Sequence, residues 1–151
     1  MAGMQGLGRV FDVITSASGN YFSIKNASAV SFIVQASGAS SLALVAATTF
    51  AATTTANWTT ANGFGQVGFW YQNTQDNGTG SWSKQTSVWT TNSIALAGTT
   101  GYMSVVTVYT SEFADTYCYL KATGTNTSSV TALLHDLTVQ RTPANLAILG
   151  S

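Results

Sequence analysis

Short runs of β-forming residues, separated by clusters of turn residues, recur along nearly the whole sequence. The runs are rich in Val, Ile, Phe, Tyr, Trp and Thr, whereas SASGN, QASGASS, NTQDNGTGS and TGTNTSS between them are rich in Gly, Ser, Asn and Asp. This pattern is typical of half-buried strands joined by turns. It predicts nine strands, at residues 9–15, 21–25, 30–36, 42–47, 66–73, 82–89, 102–110, 117–123 and 130–140.

The same pattern restricts the fold class. No segment sustains the i, i+3, i+4 apolar spacing of a capped helix over three turns, so little helix is expected, and residues 47–62 suit a long connection or an irregular strand. Because a lone sheet would leave its apolar face in water, eight or nine strands must close or stack. The sequence predicts an all-β, single-domain β-sandwich with jelly-roll connections at 9–141, an N-terminal arm at 1–8 and a C-terminal tail at 142–151.

Charged side chains are scarce. They make up 7% of the 151 residues and the formal net charge is zero, whereas about 25% is usual. Nucleic acids and anionic membranes need a concentrated basic patch, so neither is expected as a partner. The longest apolar run is far shorter than the ~20 residues of a membrane-spanning helix, and the first residues lack a secretory pattern. We therefore expect a soluble protein made in the cytoplasm.

Few residues have the pattern of a cofactor or metal site. GFGQVG at 63–68 has the spacing of a dinucleotide-binding loop, but strand-forming residues follow it where a helix is required, so no cofactor is predicted. One histidine, one cysteine and five scattered acids do not form a recognisable ligand set, so no metal is predicted.

The histidine is also a poor candidate for catalysis. His135 and Asp136 are adjacent in a predicted strand and point to opposite faces, and no G-x-S-x-G motif is present, so no enzymatic activity is expected. The alternation places Leu133 and His135 on the core-facing side and Leu134 on the partly exposed side. Cys118 is expected to be a buried, inert thiol.

The aromatic residues supply the remaining candidate for binding chemistry. Trp58, Trp82 and Trp89 form a candidate platform on which a sugar ring stacks, as in carbohydrate-binding modules built on β-sandwiches. The same side chains serve as anchors in a core or a subunit interface, which is the favoured interpretation because aromatics bury much area at little entropic cost. In FWYQ, alternation places Trp70 and Tyr71 on opposite faces.

Both ends of the sequence differ from the β-rich part. MAGMQGLGR is punctuated by glycine, and RTPANLAILGS follows the last predicted strand through a proline and is apolar near its end. Leu146, Ile148 and Leu149 would be exposed on a free tail. We expect them to dock on the domain, on a neighbouring subunit or on a larger surface.

The segment TALLHDLTVQRTPANL, preceded by GSWSKQTSVW, YMSVVTVYTSEFAD and TYCYLKAT, resembles the small capsid decoration (cement) proteins of tailed bacteriophages. The resemblance extends from Phe11 to Leu146 and is strongest at HDLTVQRTPANL. It implies a β-rich fold, often a jelly roll, that assembles as homotrimers on the outer surface of the capsid. It also implies chain termini that grip the shell, and no catalytic residues.

The expected function is therefore that of a virion structural protein that stabilises the head shell by bridging major capsid proteins. Arg141 is the expected donor to carboxylates or carbonyls, and Pro143 is expected to fix the direction in which the chain leaves the domain. Two alternatives stay open, a carbohydrate-binding module and a domain of a phage tail or head fibre. The expected contact residues are Arg9, Gln140, Arg141, Pro143, Asn145, Leu146 and Ile148.

Overall fold

The structure is a computed structural model, and it describes residues 12–15, 17–64, 70–75, 79–86, 93–96, 98–113, 116–135 and 137. The predicted all-β class is confirmed, and the described residues contain, besides strands, two single 3-10 turns at Thr60–Asn62 and Thr110–Glu112. The nine strands are β1 (Asp12–Ile14), β2 (Tyr21–Ser23), β3 (Ala29–Ala47), β4 (Thr55–Asn57), β5 (Trp70–Asn73), β6 (Trp82–Gln85), β7 (Ser93–Leu96), β8 (Met103–Tyr109) and β9 (Tyr119–His135).

All nine strands belong to one antiparallel sheet with the order β1-β9-β3-β8-β5-β6. β2 also pairs with β9, and β4 and β7 pair with β3. The sandwich of two sheets and the jelly-roll connections stay predictions, because backbone pairing joins the described strands into a single sheet.

The two longest strands divide this sheet into two halves. In the wide half, residues 29–35 of β3 pair with 129–135 of β9, and β1, β8, β5 and β6 extend the sheet on both sides. In the narrow half, residues 41–47 of β3 pair with 119–125 of β9, and β2, β4 and β7 extend the sheet. β3 and β9 therefore run through both halves.

Between the halves, β3 and β9 bend together into an arch at residues 36–41 and 123–129. The Ala17 N–H donates to the Val130 carbonyl at 3.0 Å, and the Gly19 N–H donates to the Ala122 carbonyl at 2.7 Å. Two residues of chain span at most about 7 Å, whereas eight residues of straight strand would span about 26 Å. β9 must therefore loop away between Ala122 and Val130.

The bend brings the inner sides of the two halves together. Phe22 on β2 and Phe32 on β3 belong to different halves, and their ring centroids are 6.2 Å apart. Every second residue of the long strands is buried in the core between the halves, as the alternation of side chains across a strand requires. On β3 these residues are Val30, Phe32, Val34, Leu42, Leu44 and Ala46, and on β9 they are Leu120, Ala122, Val130, Ala132 and Leu134.

The arch corrects two predicted turns. QASGASS and TGTNTSS lie within β3 and β9, where they pair with each other across two register shifts. The side chain of Asn126 donates from Nδ2 to the Ala39 carbonyl at 2.9 Å. Glycine is needed at position 124 because β9 bends sharply there: a Cβ on Gly124 would lie 2.8 Å from Val130 Cγ2.

Candidate functional site

The outer face of the wide half is the broadest surface that the sheet presents. Residues paired across neighbouring strands share a face, so the register defines it. We call this surface the outer face; its residues are Val13, Ala29, Ser31, Ile33, Gln35, Tyr71, Asn73, Trp82, Lys84, Met103, Val105, Thr107, Tyr109, Ser129, Thr131, Leu133 and His135.

Exposed hydrophobic side chains concentrate on the outer face. Five large hydrophobic side chains are exposed among the described residues, and four of them lie here: Val13 (46%), Tyr71 (43%), Trp82 (48%) and Tyr109 (55%). Ile33, Val105 and Leu133 are half-buried between them. Isolated exposed hydrophobics are ordinary, but a continuous group of them marks an interaction surface.

The outer face is almost without charge. Lys84 is the one Lys, Arg, Asp or Glu among the described residues that form it. The outer side of the narrow half, which we call the reverse face, has mainly small side chains, including Ser41, Ala43, Ala95 and Thr123. There Lys121 lies over the ring of Tyr21, with Nζ 4.9 Å from the ring centroid. The two sides of the sheet therefore differ in size of side chain more than in charge.

The β5–β6 hairpin fixes the aromatic part of the face. Asn73 is fully buried; its Nδ2 donates to the Gly80 carbonyl at 3.1 Å, and its Oδ1 accepts from the Gln75 N–H at 2.9 Å. Trp82 lies opposite Asn73, and Tyr71 is its diagonal neighbour on the same face. Aromatic side chains in diagonal positions are within reach of each other. β5 and β6 thus pair on either side of NTQDNGTGS, where a turn between two strands was predicted.

A chain of hydrogen bonds crosses three strands on the outer face. His135 Nε2 lies 2.8 Å from Ser31 Oγ, which lies 2.7 Å from Thr107 Oγ1. Sequence reasoning placed His135 on the core side, and this was wrong: Leu134 is fully buried, whereas Leu133 and His135 are half-buried on the outer side. Both alternating sets of residues in this strand contain leucine, so alternation alone does not show which set faces the core.

The contact between His135 and Ser31 has the distance of a base and nucleophile pair, but its surroundings suit a structural role. Ser31 is only 7% exposed and lies in the interior of β3 between β8 and β9, so the neighbouring backbone amides belong to strand pairing. Such amides are not free to stabilise an oxyanion. Within the described residues, no group of three His, Cys, Asp or Glu side chains converges as metal ligands do.

The structure removes one residue from the predicted sugar platform. Trp58 is fully buried; it stacks on Phe64 with ring centroids 5.0 Å apart and contacts the edge of Phe113 at 4.6 Å. Its Nε1 has no hydrogen-bond partner among the residues that the structure describes. Trp58 is therefore a core residue, and a ligand cannot stack on it. Trp82 is exposed as a platform requires, and Trp89 lies outside the described residues.

The predicted capsid contacts also lie outside the described residues, namely Arg9, Gln140, Arg141, Pro143, Asn145, Leu146 and Ile148. The register nevertheless relates the strands that lead to them, because Asp12 of β1 is paired with Leu134 of β9. The start of β1 and the end of β9 therefore share one corner of the wide half.

A pocket of about 250 Å³ opens beside the narrow half. It is lined by Ile24, Lys25, Asn26, Ala27, Thr110, Phe113, Tyr117 and Cys118. The Thr110 hydroxyl donates within the fold to the Ala27 carbonyl at 2.7 Å. Cys118 is half-exposed here, one residue before β9, so the prediction of a buried thiol is corrected.

Sequence reasoning missed most of the outer face. Tyr71 was correctly placed opposite the buried Trp70, but Ile33, Val105 and Tyr109 were not singled out. In YMSVVTVYT, apolar residues occupy both alternating sets, which is the pattern of a strand with one buried side and one apolar outer side. That pattern is the signal from which the face could have been inferred.

No protein-family model, curated protein or solved structure matches this chain. The described part of the chain contains no helix with the length and hydropathy needed to cross a bilayer.

Proposed function

We propose that this chain is a structural protein of a tailed-bacteriophage virion, a decoration subunit on the outer surface of the capsid that stabilises the head shell by bridging major capsid proteins. The observation that carries the proposal is the outer face, with four exposed hydrophobic side chains and Lys84 as its one formal charge among the described residues. Burial of such a face against protein gains apolar area and desolvates a single ammonium.

The resemblance to decoration proteins supplies the partner in this proposal. By that resemblance, the chain is made in the host cytoplasm and joins the finished head as a homo-oligomer, expected to be a trimer. Each copy makes modest contacts, and several copies held together engage several capsid sites at once. The shell is then stabilised by avidity, without catalytic chemistry.

The corner at Asp12 and Leu134 supports a grip by both ends of the chain. Arg9 precedes Asp12 by three residues, and Arg141 follows Leu134 by seven. Because the two strands are paired at these residues, both segments start from the same corner of the sheet. Contacts from Arg9 and from Arg141 to Ile148 would therefore reach neighbouring points on the shell.

A sedimentation experiment tests this function. Heads of the parent phage that lack the chain are mixed with the full chain or with a variant without residues 1–8 and 142–151. We expect the full chain to sediment with the heads and to raise the temperature at which they rupture, and we expect truncation to reduce binding by about ten-fold or more. The β circular dichroism of the two proteins should match. A full chain that stays in the supernatant would contradict the proposal.

A carbohydrate-binding role is the second candidate, because Trp82 and Tyr71 are exposed side by side on the β5–β6 hairpin. In this case soluble bacterial surface polysaccharides should change the tryptophan fluorescence in a saturable way. Trp82→Ala should abolish the change, and Phe50→Ala, which alters an exposed aromatic elsewhere, should not. A flat titration with the wild-type chain would exclude sugar stacking at this hairpin.

A further inference from the structure

We propose that the outer face is the surface by which copies of this chain bind each other in a closed assembly. This proposal adds to the proposed function by naming what binds to the outer face. It does not depend on the capsid role, because it applies to any function that the chain performs as a self-associated assembly. Its first support is electrostatic. The whole chain has five basic and five acidic residues and no net charge, so two copies approach without repulsion.

The composition of the face suits another copy of the same chain. Lys84 is the one residue of the face, among those described, that brings a formal charge into the contact. A nucleic acid or an acidic partner would need several cations in the same area. The His135, Ser31 and Thr107 side chains satisfy one another within the face, so their burial leaves fewer unpaired polar groups.

The size of the face favours a broad partner. Six strands spaced about 4.8 Å apart and seven residues of β3 at about 3.3 Å each give a footprint on the order of 500 Å². Stable interfaces bury about 800 Å² of accessible surface on each partner. The footprint is smaller than this area, so a stable contact must cover the whole face. Such a contact requires a partner surface as wide as the sheet, which a short peptide does not have.

Closure argues for contacts between equivalent outer faces. The outer face and the reverse face lie on opposite sides of the folded-over sheet, because Phe22 and Phe32 bring the inner sides together. If the outer face bound the reverse face of the next copy, the assembly would continue as an open filament. If the outer faces of the copies instead all face a common two-fold or three-fold axis, they are buried against one another and the assembly is closed.

Two valines provide matched variants for the test. Val105 lies on the outer face and Val45 on the reverse face; each is half-buried inside a strand with a partner on both sides. Light scattering after size exclusion, over a wide concentration range, should give a mass of two or three chains for the wild type. Val105→Lys should weaken association by about ten-fold or more, because each contact then buries an unpaired ammonium. Val45→Lys should leave the mass unchanged.

A second pair of variants protects the test from unfolding. Tyr109 on the outer face and Phe50, at the loop that joins β3 and β4, are both exposed aromatics, so lysine at either position should leave circular dichroism intact. Tyr109→Lys should weaken association and Phe50→Lys should not. A wild-type mass of one chain at every concentration would overturn the proposal. The proposal would also be overturned if the Val105→Lys and Tyr109→Lys variants self-associated normally but no longer bound heads or polysaccharide. The outer face would then be the binding site for that partner.

Wild-type binding to heads is measured separately, so the two proposals fail independently. A self-associated chain that ignores heads would contradict the decoration function alone. If the wild-type chain binds heads, and the Val105→Lys and Tyr109→Lys variants self-associate as well as the wild type does, only the proposed role of the outer face is contradicted.

Discussion

Ser31 is the central member of the hydrogen-bond chain on the outer face. Its hydroxyl contacts both His135 and Thr107, at 2.8 and 2.7 Å, and the residue is nearly buried. A hydroxyl can donate one hydrogen bond and accept others, so it can serve both neighbours at once. Loss of this oxygen would leave the half-buried side chains of His135 and Thr107 without a hydrogen-bond partner at this position.

Ser31→Ala should therefore lower the free energy of unfolding by about 1–2 kcal/mol, as expected when partly buried partners lose a hydrogen bond. Urea unfolding of the purified chain measures the change. Ser129→Ala, at an exposed position on β9, is the control and should change the stability by less than about 0.5 kcal/mol. Equal effects of the two substitutions would show that the chain of hydrogen bonds adds nothing.

Glu112 is the residue whose environment gives stability a pH dependence. Burial raises the pKa of its carboxyl above the ordinary value of 4.5. The folded chain therefore holds this proton to higher pH than the unfolded chain, and the stability that Glu112 contributes is present below about pH 4.5 and is lost as the pH rises through the folded pKa.

Glu112→Gln removes this titration. The melting temperature of the variant, compared with that of the wild type, should rise between about pH 4 and pH 7, because only the wild type must ionise a partly buried carboxyl. Differential scanning calorimetry across this range measures the difference. Parallel profiles for the two proteins would contradict the effect of burial on Glu112.

At the scale of the elements, the arch is the feature that most determines the fold. It lets β3 and β9 pair in both halves of the sheet while the halves turn toward each other. Its two glycines have different surroundings. A Cβ on Gly124 would meet Val130 and Thr127, whereas a Cβ on Gly38 would lie 3.8 Å from Asn126 Cβ, an ordinary contact.

Gly124→Ala should therefore destabilise the protein by about 1–3 kcal/mol, since the bend of β9 would have to open to move residue 124 away from Thr127 and Val130. Gly38→Ala is the matched control in the same arch and should be close to neutral. Thermal unfolding followed by circular dichroism compares the two variants. A greater loss of stability from Gly38→Ala than from Gly124→Ala would contradict the close approach of Gly124 to Thr127 and Val130.

The strands also show how far the sequence determines the elements. Nine strands were predicted and the described residues contain nine, but they are not the same nine. The predicted strands 30–36 and 42–47 are both part of β3, and the described residues of 117–123 and 130–140 contribute to the single strand β9. β4 lies within 47–62, which was interpreted as a long connection or an irregular strand, and β7 was missed. Gly and Ser clusters mark both turns and sharp bends of a continuous strand, and only pairing with a distant segment decides between them.

The candidate site was less predictable than the fold. Alternation in FWYQ correctly separated Trp70 from Tyr71, because one neighbour is buried and the other exposed. It misplaced His135, since Leu133 and Leu134 make both sides of β9 apolar. Trp58 is a core residue, in agreement with the favoured interpretation, but the sequence could not separate it from the platform candidates because its ring cluster with Phe64 and Phe113 depends on tertiary contacts. Periodicity gives the two faces of a strand but does not say which one meets the core.

For the whole molecule, scarcity of charge has a measurable consequence. With no net charge and a nearly uncharged outer face, association should depend little on ionic strength. We expect the apparent dissociation constant of the self-associated chain to change by less than about two-fold between low and physiological salt, in sedimentation equilibrium. A strong loss of association with added salt would mean that ion pairs hold the copies together.

The shared corner of Asp12 and Leu134 also makes this fold a natural carrier for added sequences. A peptide fused before β1 and one fused after β9 would emerge side by side, so either end addresses the same spot. Gly38 lies in the arch at the other end of the wide half, whose seven β3 residues, 29–35, span about 20 Å. A label inserted there would report on the molecule from a position remote from both fusions.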